Sequence, residues 1–93
     1  MIEPIISRRL DGSILTRSYF NNLQQSHRIN GPAYTSYHEN GMEASELYFF
    51  CGKLHRINGP AEVYYSPNGV KTCQTYRINH LLHREDGPAV FFL

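Results

Sequence analysis

Ninety-three residues suit one small domain with little core to bury. Nine basic against eight acidic side chains leave a formal net charge of +1, which excludes a chain-wide electrostatic grip on nucleic acid. Two cysteines, Cys51 and Cys73, with no CxxC spacing exclude a disulfide framework and a thiolate zinc cage.

The start, "MIEPIISRRL", has no long apolar stretch, so neither a secretion signal nor a membrane span is expected there. With two free thiols, the chain is expected in a reducing cytoplasm. Next comes "LDGSILTRSYFNNLQQ", then the phrase "HRINGPA" at 27–33. The same seven letters return at 55–61, and an edited copy, "HREDGPA", fills 83–89. His27, His55 and His83 are 28 residues apart each time, and so are Gly31, Gly59 and Gly87. Asn40-Gly41 and Asn68-Gly69 keep that step, as do Tyr48 and Tyr76, for which Phe20 is the expected counterpart. Three anchors in step are a repeat. The reading is one domain over 1–93, with units at approximately 1–26 (degenerate), 27–54, 55–82 and 83–93 (cut short).

Turn chemistry decides what each unit is. In Arg56-Ile57-Asn58-Gly59-Pro60 the residue after glycine has no N–H, which disfavours a two-residue Asn-Gly hairpin. A type I turn with Gly59 left-handed is expected instead, and Ser66-Pro67-Asn68-Gly69 reads the same way. Between the turns, residues 33–37, 42–50, 61–65, 70–78 and 89–93 are rich in Tyr, Phe, Val and Thr and are expected as strands. Lys53–Arg56 and Leu81–Arg84 are expected as brief third strands. The fold class is all-β: an antiparallel meander of about three hairpin repeats in a single curled sheet.

Alternation sorts the strand residues into two faces. Ala33, Thr35, Tyr37, Ala61, Val63, Tyr65, Ala89, Phe91 and Leu93 join Met42, Ala44, Tyr48, Phe50, Val70, Thr72, Tyr76 and Ile78 on a mostly apolar side. Glu43, Ser45, Lys71, Cys73, Thr75 and Arg77 make a polar side, with Glu43 and Glu46 opposed. No helix is available to lie on the apolar side, so the sheet is expected to curl or to meet another chain. The last strand, "AVFFL", is apolar where an edge falls, which points to a homodimer.

The pattern Asn40-Gly41, Tyr48, Gly52-Lys53, His55-Arg56 and Asn58-Gly59-Pro60-Ala61, echoed by Asn68-Gly69, Tyr76 and His83-Arg84-Glu85-Asp86-Gly87-Pro88-Ala89, resembles the short β-repeat proteins related to MORN repeats. It departs at Cys51 and at Asn79-His80, where that pattern has Gly-Lys. The likeness covers 27–93 well and 9–26 poorly. It implies strand-repeat interaction modules of bacterial, phage and large-virus proteins, among them a phage-encoded inhibitor of a host defence enzyme, such as an anti-CRISPR protein in the host cytoplasm.

The repeated phrase itself reads as architecture: His27, Arg28, Gly31, His55, Arg56, Gly59, His83, Arg84 and Gly87 are structural positions. Equivalent residues fall two or three strands apart, roughly 10–14 Å, whereas ligands of one zinc sit ~2 Å from it, so no shared metal is expected. Each His is expected to pack or hydrogen-bond at its turn. Each Arg is expected to pair locally with Glu62, Glu85, Asp86 or a turn carbonyl. Neither cysteine has a loop suited to an oxyanion hole, so no enzyme and no cofactor are expected. Partner contacts are assigned to Tyr48, Tyr64, Tyr65, Tyr76, Arg77, Lys71 and Glu43, because exposed Tyr and Arg favour protein interfaces. Two alternatives stay open: a nucleotide- or nucleic-acid-binding module that stacks bases on Tyr beside Arg, and a structural assembly protein.

Overall fold

The computed structural model describes residues 3–85 and 87–93, so Asp86 and its expected pairing with arginine lie outside the described residues. Eleven strands form, with no helix among the described residues: β1 Ile5–Arg8, β2 Ile14–Ser18, β3 Tyr34–Tyr37, β4 Glu43–Leu47, β5 Phe49–Phe50, β6 Lys53–Leu54, β7 Glu62–Tyr65, β8 Lys71–Thr75, β9 Arg77–Ile78, β10 Leu81–Leu82 and β11 Val90–Phe92. Seven of them make one antiparallel, unclosed sheet in the order β1-β2-β3-β4-β7-β8-β11. β5-β6 and β9-β10 are two separate two-stranded ribbons.

The long hairpins turn on their glycines. The Gly41 N–H donates to the His38 carbonyl and the Gly69 N–H to the Ser66 carbonyl, with φ of +89° and +88°. Gly12, at +91°, closes the Arg9 turn in the same way. Each is a type I turn followed by a left-handed glycine, as the Ser-Pro-Asn-Gly chemistry dictates. Beyond each turn the register slips by one residue, at Ser7/Arg8, Ser36/Tyr37 and Tyr64/Tyr65. These bulges correct one expectation. The bulge brings Glu43 opposite Tyr37, on the same side as Glu46, so the two carboxylates are neighbours and not opposed.

Runs 42–50 and 70–78 are not single strands. Each breaks at a tyrosine. The Tyr48 N–H donates to Ala61 in the main sheet while its carbonyl accepts the His55 N–H, and Tyr76 is placed alike between Ala89 and His83. A residue whose two polar groups serve different neighbours carries the chain out of the main sheet into the ribbon. Tyr19, bonded to Ala33 and His27 in the same manner, holds the position expected for Phe20. The extra residue of this segment is taken up after Tyr19, in the turn where Gln24 has φ 63°.

Burial is shallow. Ala33 and Ala61 are 0% exposed and Val63 3%, while no large side chain is fully buried among the described residues. The molecule measures 43 × 35 × 16 Å, the thickness of one sheet with its side chains. The face expected to be apolar is interrupted: one cross-strand row reads Ile6, Arg17, Thr35, Glu46, Val63, Gln74, Phe91. Glu46 sits at the position the period-two count passes over between Ala44 and Tyr48, and Gln74 at the one between Thr72 and Tyr76. No helix among the described residues is long and apolar enough to cross a membrane.

Candidate functional site

The three copies of the seven-residue phrase form corners on which the tyrosines and arginines meet. The Arg28, Arg56 and Arg84 guanidinium carbons lie 4.0, 3.9 and 4.1 Å from the ring centroids of Tyr19, Tyr48 and Tyr76. Each Nη1 donates at 3.3 Å to the carbonyl of the proline four residues on, Pro32, Pro60 or Pro88. A half-exposed guanidinium over an aromatic face contributes about 0.5–1 kcal/mol. This supports the expected pairing with turn carbonyls and adds the ring that sequence spacing did not connect to it.

Glycine in this phrase has a different reason from the expected one. Gly31, Gly59 and Gly87 are not in the left-handed region. A Cβ on Gly59 would stand 2.9 Å from the Arg56 Cζ, and one on Gly31 3.1 Å from the Arg28 Cζ. The glycine leaves room for the guanidinium to lie flat. The alanine that ends the phrase is buried at Ala33 and Ala61 and bridges neighbouring strands: the Ala33 N–H donates to Leu47 and the Ala61 N–H to Thr75.

The histidines hold the ribbons. The Cys51 N–H donates to His27 Nδ1 at 2.9 Å, and the Asn79 N–H donates to His55 Nδ1 at 2.9 Å. Both amides open two-residue turns whose central φ values are positive, 49° and 80° at Cys51-Gly52 and 48° and 77° at Asn79-His80. These are type I′ geometry, suited to the twist of a hairpin. An imidazole that accepts at Nδ1 carries its proton on Nε2. Phe50 stands between the two rings, with centroids 4.7 Å from His27 and 6.1 Å from His55, so these imidazoles do not converge. His83 is exposed, with Nε2 3.9 Å from Glu85.

Two open grooves lie between successive corners. The first, about 620 Å³, runs from Arg28 to Arg56 with Tyr48, Phe50, Ile29 and Ile57 along it. The second, about 770 Å³, runs from Arg56 to Arg84 over Tyr76 and includes His83 and Glu85. Ile29 and Ile57 are 78% and 75% exposed, although each is a large apolar side chain. The first groove has no acidic residue among its described lining residues.

The residues assigned to partner contacts do not form one patch. Tyr48 and Tyr76 are the bases of the arginine stacks and line the grooves. Arg77 is committed to Glu62, Nε to Oε1 at 3.0 Å. Tyr64 donates to the same glutamate; its hydroxyl is pushed up first by burial and then by the Glu62 charge. Tyr65 lies elsewhere, donating to Glu46 Oε1 at 2.6 Å, its hydroxyl raised first by burial and then by that bond. Glu43 sits near it and is raised by burial and by the Glu46 charge, Glu46 being within hydrogen-bonding reach. Lys71 is exposed opposite Tyr65. The groove residues that sequence reasoning passed over are Phe50, Ile29 and Ile57, and the Tyr19 ring beneath Arg28 was passed over as well. The available signal was an isoleucine inside a polar turn phrase, where nothing in the turn itself asks for one.

Comparison with known proteins finds no matching family model, no matching curated protein and no matching solved structure.

Proposed function

We propose that this chain is a non-catalytic protein-interaction module, a stack of about three 28-residue hairpin units of the MORN-like kind in one gently curled sheet, which holds its partner at the row of corners. The observation that carries this reading is the groove between Arg28 and Arg56, where exposed Ile29 and Ile57 lie beside a tyrosine and two arginines. Tyr, Arg and an apolar anchor in one cleft are the composition of interface hot spots. Base stacking is disfavoured, because Tyr19, Tyr48 and Tyr76 each have a ring face covered by a guanidinium. An inhibitor of a host defence enzyme, of the anti-CRISPR type, is one form this module takes.

The test is affinity capture from host cells with the unmodified chain and with Ile57→Glu, followed by mass spectrometry. A partner held by the first and lost by the second supports the reading; the same proteins on both baits refute it. A second element of the proposal concerns β11, an edge strand on which Phe92 is 78% exposed. Such an edge accepts another strand, and a second copy is proposed there. A light-scattering mass of one chain at high concentration would remove that element.

A further inference from the structure

Resting on that interaction reading, we infer that the corner row takes an extended acidic peptide in the polyproline II conformation, with a carboxylate at every third residue and an apolar residue between. Three observations meet in this assignment.

The first is spacing. Arg28, Arg56 and Arg84 lead into β3, β7 and β11, which alternate with β4 and β8 in the sheet order. Successive arginines are therefore two strands apart, roughly 9–10 Å at ~4.8 Å per strand. A polyproline II chain rises ~3.1 Å per residue with three residues per turn, so every third side chain returns to the same side after ~9.3 Å. A peptide in β conformation returns after about 6.7 Å and falls out of step at the second corner.

The second is charge and donor capacity. Arg28 and Arg56 have no carboxylate partner among the described residues. A guanidinium has five N–H donors, and toward the described residues only the Nη1 bond to proline is spent within each side chain. The stack on tyrosine holds the remaining donors in a fixed plane, which suits a carboxylate better than a mobile lysine would. The third is the floor between the arginines, where Ile29, Ile57 and Phe50 offer exposed apolar surface to the residue between two carboxylates. Glu85 borders the second groove, so the Arg28–Arg56 groove is the stronger half.

Fluorescence anisotropy with the whole chain tests this. The probe is a labelled peptide of three Glu-Pro-Pro triplets. The comparison peptides are its block isomer, with all glutamates first, the lysine counterpart and an oligothymidine. The triplet peptide is expected to bind about tenfold more tightly than its block isomer and to lose at least that factor with Ile57→Glu. Ile57 is exposed, so that variant keeps its fold, checked by circular dichroism; Arg56→Gln repeats the test where it also folds. Equal affinity for the block isomer, tighter binding of the oligothymidine, or unchanged affinity of Ile57→Glu each overturns the inference. If no peptide binds while the partner captured from cells is still lost with Ile57→Glu, the extended-peptide assignment falls and the interaction reading stands. If that partner is retained, the reading falls with it.

Discussion

The dipeptide Asn-Gly occurs in two regions of this molecule and does two different things. At Asn40-Gly41 and Asn68-Gly69, on the long hairpins, the glycine is left-handed, and at Gly41 a Cβ would meet nothing within 4 Å. At Asn30-Gly31 and Asn58-Gly59, in the corners, the backbone is ordinary and the missing Cβ makes room for an arginine. One glycine answers a torsional demand, the other a volume demand. The contrast shows that a turn-forming pair of letters does not by itself say which demand it meets.

The largest effect that would break this comparison is expected at the corner. Gly59→Val drives a branched side chain into the Arg56 guanidinium and is expected to cost about 2–3 kcal/mol in chemical denaturation. Adding Arg56→Ala should recover part of that loss, since the two side chains compete for one space. Strict additivity of the two substitutions would show that Gly59 serves a torsional role after all. Gly41→Ala is expected to cost about 1–2 kcal/mol through its positive φ alone. Its loss should be unchanged by Arg28→Ala, and a D-alanine placed there by synthesis should remove it.

The ribbons sharpen the same distinction. His80 has φ 77° without being glycine. His80→Gly is expected to stabilise the chain by about 0.5–1 kcal/mol, read as a raised denaturation midpoint. The smallest effect concerns the bulge. Glu43 has a raised folded-state pKa, so its native form holds the proton more tightly than the unfolded chain does. Stability is then fully present below the ordinary glutamate value of 4.5 and declines as pH rises through the higher folded value. Glu43→Gln should narrow this decline, and a wild-type pH profile parallel to that of the variant would contradict the placement of Glu43 beside Glu46.

Much of the fold was legible. The strand runs between glycine turns and the left-handed Gly69 follow from preferences carried by a few adjacent residues. The site was less so. The step from Arg56 back to Tyr48 crosses a whole ribbon, and nothing in the local pattern pairs them. The same holds for His27, whose partner amide at Cys51 is 24 residues away. In the first segment the 28-residue step back from Tyr48 falls on Phe20; one extra residue before His27 moves the equivalent backbone bonding to Tyr19.

By itself, the sequence determined an all-β chain of short strands joined by glycine turns, because torsional preferences and period-two alternation act within a few residues. Tertiary structure decided where the strands break, which faces Glu43 and Glu46 share, and why the corner glycines must be glycine. Those outcomes depend on which distant partner satisfies the N–H and carbonyl of Tyr48 and on where the Arg56 guanidinium comes to rest. Both are settled only when strands far apart in the chain lie side by side.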